Sequence, residues 1–195
     1  MVATLVVYEA NGASPTYTDS VSNVRFCTDD AQNPGTNYPI PIPAASFNYS
    51  YWKHVGLKVT VAPSSSVSNF RHYTDGAIGW AMGTGGMLNR GNRDSGAKGC
   101  PAANYQQATG AGHTQGTTGP SISDSSNGHA YYRSQSTPTT NMATDTSGAP
   151  ATIDSSTYTS VNDRTYMIVM QVKLASDGTR GAQSAETFTW LYDEV

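Results

Sequence analysis

Glutamate occurs three times in 195 residues and leucine five times, and Asp, Glu, Lys and Arg together make up 13% of the chain. An average soluble domain carries about 25% charge and is rich in Leu, Ala, Glu and Lys. Those are the strong helix formers, and their scarcity argues against a helical bundle and against an α/β enzyme. Cysteine is nearly absent: Cys27 and Cys100 are the only two. They are too few for a disulfide framework, and two reduced thiols are expected rather than one bridge. No segment reaches the ~20 apolar residues of a membrane span. A net charge of −3 and a pI near 5.7 supply no basic field for nucleic acid. The opening VATLVVY is short, lacks a basic flank and runs into Glu9, so it does not read as a signal peptide. The expectation is a chain that folds where it is made.

What is abundant is Ser and Thr, 46 together, with 19 Gly and 12 Tyr. This is the composition of a β-rich chain with long polar loops. Leu5–Glu9 reads as a strand ended by the turn pair Asn11-Gly12, and Val21–Thr28 as a weaker strand. Residues 38–43 (YPIPIP) lack amide donors at three positions, so they fit an extended segment or a sheet edge. In Tyr51–Val61, Val55, Leu57, Val59 and Val61 share one face, the period-two mark of a half-buried strand. Val67–Thr74 is expected as its hairpin partner. Tyr166–Leu174 is apolar on both faces, which predicts a central strand. Glu186–Tyr192 closes the chain with Phe188, Trp190 and Tyr192 on one side. Strands joined by turns without helices predict a single all-β domain over 1–195, an antiparallel β-sandwich, jelly-roll-like.

From about 75 to 150 the pattern breaks down. Gly, Ser, Thr, Asn and Ala dominate, with apolar islands only. Loops this long are usually functional or disordered, but the aromatic content argues against disorder. The expectation is an ordered excursion that packs against something outside its own core.

Residues patterned for chemistry are few. The Glu residues lie at the chain ends, and the Asp residues mostly sit in turns (Asp19, Asp75, Asp177), where Asp bonds its own backbone, or in polar loops (Asp94, Asp124). His54 and His72 fall on the two expected hairpin strands with no carboxylate beside them, so a surface or half-buried pair is expected and no metal site. His113 and His129 are too far apart for a local ligand motif. No G-x-S-x-G occurs, and Gly83-Thr84-Gly85-Gly86 lacks the Lys of a phosphate loop. Asp124–Gly128 reads as a turn and not as a calcium loop, because the bidentate Glu is missing. No catalytic residue, metal ligand or cofactor is therefore assigned, and the chain is not expected to be an enzyme. The aromatic residues remain. Tyr and Trp supply large contact areas with a polar handle. The candidate partner contacts are Trp80, Met82, Tyr105, Tyr131 and Tyr132, with Arg90 and Arg93 from a small basic cluster that also contains Lys98.

Both chain ends carry a resemblance. The opening VVYEANGASPTYTDSVSNVRFCTDDA, with Tyr8-Glu9, Asn11-Gly12, Thr18-Asp19 and Asn23, resembles the start of a group of tailed-bacteriophage virion proteins. The ending SAETFTWLYDEV is similar to that group's closing strand, and SYWKHVGLKVTV and FRHYTDG to its middle hairpin in style. About half of the chain is covered, without the excursion, and no functional residue transfers. The resemblance implies a virion structural protein of the capsid cement or decoration type on the capsid surface, folded in the cytoplasm of the bacterial host. It implies the major capsid protein as partner and a homotrimer as the working unit, with no direct nucleic acid and no membrane. A tail or neck protein of the virion and a carbohydrate-binding module are the alternatives, and a hydrolase on a jelly-roll scaffold the remotest.

Overall fold

The alternating run of residues 53–61 forms a nine-residue strand, β4 (Lys53–Val61). Along the chain it stands fourth, after β1 (Thr4–Asn11), β2 (Thr16–Asp19) and β3 (Phe47–Tyr49). It is followed by β5 (Val67–Tyr73), β6 (Met87–Gly91), β7 (Thr139–Asn141), β8 (Ala151–Tyr158), β9 (Ile168–Ala175) and β10 (Thr189–Glu194). This computed structural model describes residues 2–109, 114–179 and 181–195. Its strands form two antiparallel sheets, seven-stranded and three-stranded. The larger runs β2-β1-β4-β9-β6-β7, with β3 also on β9, and the smaller runs β10-β5-β8. The fold is an all-β sandwich. The uneven seven-to-three split departs from the eight strands and paired Greek keys of a jelly roll.

Several expected elements are corrected. β4 and β5 do not form a hairpin: β4 pairs with β1 and β9, and β5 pairs with β10 and β8. The Pro63 and Ser64–Ser66 turn carries the chain from one sheet to the other. Residues 21–26 have no strand pairing; Val24 and Phe26 instead pack onto the core as an irregular cover, beside Ile40 and Ile42 of the proline segment. β2 arises because the Asn11-Gly12 turn, with Gly12 at φ +90°, sends the chain straight back along β1. That left-handed position suits glycine.

β9 explains the layering. Ile168, Met170, Val172 and Leu174 face the inter-sheet core with Val55, Leu88, Met142 and Ile153. Met167, just before the strand, packs with Tyr8 and Ala10, and Val169 packs with Trp52, Cys100, Ile122 and Tyr132. A strand buried on both faces reads as a continuous apolar run. Each such fully buried side chain contributes about 1.5–3 kcal/mol. Cys100, Ala108, Ile122 and Tyr132 all come from the 75–150 stretch. This corrects the expectation of an outward excursion, since the stretch forms the second cover of the large sheet and two of its strands.

Polar groups fasten that cover. Gln171 Nε2 donates to the carbonyls of Ser50 (2.8 Å) and Pro120 (2.7 Å), while its Oε1 accepts from the Ile122 amide (2.9 Å). The carboxamide is buried with three partners, so its desolvation is compensated.

Candidate functional site

β4 places His54 opposite Ala10 of β1 and Val169 of β9. Its side chain therefore leaves the face opposite Val55, toward the 75–150 cover. Cys100 is held by a two-way backbone bridge to Met167, with N···O distances of 2.7 and 2.9 Å. His129 sits at the end of the 122–129 turn, where its amide donates to the Ile122 carbonyl and its own carbonyl accepts from Tyr132 and Arg133. Asp124 sets that turn by accepting from the amides of Ser126 and Asn127. These bonds hold the Asp124 carboxyl below its usual range, and the turn reading of 124–128 agrees with this geometry.

Three separate segments thus converge. The Nε2 atoms of His54 and His129 lie 3.1 Å apart, and a ring nitrogen of each histidine and Cys100 Sγ all lie within 4.8 Å of one another. All three residues are buried. Trp52 and Tyr132 flank the His129 ring at 5.4 and 5.0 Å, and Tyr105 covers His54 at 4.5 Å. Burial drives the His54 imidazole well below its ordinary range, aided by His129, and pulls His129 down to about 3. Burial also pushes the Cys100 thiol up to about 12. Both imidazoles are therefore neutral, and one donates to the other. His129 Nδ1 accepts from the Tyr131 amide at 3.3 Å, which puts the proton on His129 Nε2 and makes His54 Nε2 the acceptor.

The sequence reading missed this cluster because its members lie 29 to 75 positions apart. It paired His54 with His72, but these occupy different sheets and both are buried. His72 packs on Trp190 at 5.1 Å and Phe188 at 5.7 Å. His113 lies outside the described residues. Cys27 and Cys100 are both free.

The aromatic and basic candidates divide. Arg93, Tyr105 and Tyr131 line a cleft of about 660 Å³ with Asn104, Gln106 and Gln135. The Arg93 guanidinium lies over the Tyr131 ring at 4.4 Å. Trp80 is not part of that cleft; its indole N–H donates to the Ser184 carbonyl (2.7 Å) and its ring rests on Phe26. Met82, Arg90 and Tyr132 are buried within the chain, which takes them off its free surface. Arg90 makes a two-point ion pair with Asp145 at 2.6 and 2.9 Å, and the Tyr132 hydroxyl donates to the Lys98 carbonyl.

Two carboxylates near the N-terminus, those of Glu9 and Asp29, are buried. Glu9 and Lys53 form a fully buried pair at 3.3 Å. Lys53 also donates to the Ala31 carbonyl, and Asn11 donates to Glu9. Burial raises the carboxyl pKa of Glu9 and of Asp30. Asp29 and Asp30 line a cleft of about 730 Å³ with Asn11, Tyr51 and Gln115. Glu9 has no exposed surface, so it cannot touch a molecule in that cleft.

No family model matches the chain, and no curated protein and no solved structure matches it.

Proposed function

We propose that this chain is a non-enzymatic virion structural protein, a cement or decoration protein that binds the outer surface of a bacteriophage head as a homotrimer and stabilises it. One observation supports the reading. The segments similar to phage virion proteins are far apart in sequence but pack as one unit. β2, β1 and β4 are consecutive in the large sheet, and β10 and β5 are neighbours in the small one. Leu57 and Val59 of β4, Phe70 of β5 and Trp190 and Tyr192 of β10 meet in one cluster, completed by Ala3, Leu5, Val67 and Tyr158. The chain ends are tied as well, since the Ala3 amide donates to the Glu194 carboxylate at 2.7 Å. The strands that carry the resembling segments are thus neighbours within each sheet.

On a capsid, trimers fit the local three-fold points of the lattice, and many weak contacts add to firm attachment. The major capsid protein is the proposed partner. Light scattering on the purified chain and add-back to particles lacking it test the proposal. A trimer that returns in hundreds of copies per particle supports it; a monomer that ignores the particles defeats it. Copy numbers in the tens would move the assignment to the tail or neck.

The Arg93–Tyr105–Tyr131 cleft favours a second reading, a carbohydrate-binding module. Aromatic faces beside Asn104, Gln106 and Gln135 amides suit a neutral polyhydroxyl ligand. Glycan-array binding that disappears with Tyr131→Ala would select it.

A further inference from the structure

We propose that His54, Cys100 and His129 form a buried binding site for a single transition-metal ion of the zinc class, which clamps the 75–150 cover onto the large sheet.

The ligand types are those that zinc prefers, two imidazoles and a thiolate. Two nitrogens bound at about 2.0–2.1 Å in a tetrahedral array stand about 3.3 Å apart. The His54 and His129 Nε2 atoms are already 3.1 Å apart, and the Cys100 sulfur lies within 4.8 Å of a ring nitrogen of each. Small side-chain shifts close the site without moving the strands. Each ligand comes from a different element: His54 from β4, Cys100 from the bridge to Met167, and His129 from the 122–129 turn. An ion here cross-links segments that no disulfide joins, both cysteines being free. The Trp52, Tyr105 and Tyr132 rings shield it from bulk water. The fourth position is left to a water.

Protons balance as follows. The Cys100 thiol loses one proton to solvent on forming the metal–sulfur bond. The His129 proton moves from Nε2 to Nδ1, and the 3.3 Å contact from the Tyr131 amide opens. That contact is at the long end of the hydrogen-bond range and is a small loss. Uptake thus releases one net proton per ion and weakens as pH falls.

The untagged chain tests this. It is unfolded with a chelator, then refolded with one equivalent of Co²⁺ or Zn²⁺ and desalted. One ion per chain should be retained, and the cobalt form should show a thiolate-to-metal charge-transfer band. Cys100→Ser should abolish the band, and Cys27→Ser should leave it intact. X-ray absorption on the zinc form needs no variant, and covers the case in which Cys100→Ser fails to fold. It should show one sulfur at about 2.3 Å and two imidazole nitrogens at about 2.0–2.1 Å. A refolded wild-type chain that retains no ion, or an ion shell without sulfur, would overturn the site and leave a plain histidine–histidine hydrogen bond.

Discussion

His72 shows how one side chain sets a pH limit. It is buried between Trp190 and Phe188, and its Nδ1 has no hydrogen-bond partner. Burial, with Arg90 nearby, lowers its pKa from 6.5 to about 3. The folded state therefore prefers the neutral ring. The stability this provides is complete above pH 6.5 and is lost as pH falls from 6.5 toward 3, because the unfolded chain binds the proton first. Thermal unfolding followed from pH 7 to pH 4 should show the midpoint falling across that window. His72→Leu should lessen the fall, the buried His54 and His129 supplying the remainder over the same window, while costing little at pH 7, since it removes an orphaned polar atom. An equally steep fall in the variant would remove His72 from the account. Arg90 is the opposite case. Its two-point pair with Asp145 is buried on both sides, so Asp145→Ala strands a charge and should cost about 3–5 kcal/mol in chemical denaturation. The exposed Asp193 partner of Arg71 should cost under about 1 kcal/mol when removed.

Strands with strong alternation or double-sided apolar content were legible in the sequence. β1, β4, β5, β9 and β10 stand where residues 5–9, 51–61, 67–74, 166–174 and 186–192 point. The weaker ones were not. β6 (MLNRG), β7 (TTN) and β8 (ATIDSSTY) are polar or short, and their strand form depends on what they pair with. β6 and β8 lie beside β9 and β5, whose side chains complete their burial. The pairing of β4 with β5 was misread because a turn signal fixes a reversal, not the sheet in which the next strand lands. The histidine–cysteine cluster was illegible for a related reason: periodicity reports faces within one element, not which distant loop lies over that face. β10 gives the prediction at this scale. It is an edge strand of a three-stranded sheet, yet Trp190 packs into both halves of the inter-sheet core. Trp190→Ala should cost about 3 kcal/mol or somewhat less, because the ring is only partly buried. Removing 189–195 leaves a two-stranded remnant that cannot cover the core, and that chain should not yield soluble folded protein.

At the scale of the molecule, the composition describes three layers. The small sheet covers one face of the large sheet, and the loop-rich 75–150 stretch covers the other. Its Gly and Ser content suits close approach: at Gly91 an added Cβ would meet the Tyr132 ring at 2.4 Å, and at Gly99 the Ile153 carbonyl at 2.5 Å. The cover is held on the large sheet by Gln171 and by the Cys100–Met167 bridge, while the Lys98 and Gly99 amides, donating to the Thr152 and Ile153 carbonyls of β8, tie it to the small sheet as well. An arm that orders only on meeting a partner would exchange its amide hydrogens fast in the free chain. A cover that shares the large sheet's core opens only with that core. Hydrogen exchange on the isolated protein should therefore give the Gly99, Cys100 and Tyr132 amides protection comparable to Val169 and Val172 of β9. Gly91→Ala, by pushing Tyr132 off the sheet, should lower protection in the cover before it lowers it in β4. Fast exchange at Gly99 and Cys100 alongside slow exchange in β9 would mean that the cover detaches by itself, and that the sandwich alone carries the stability of the fold.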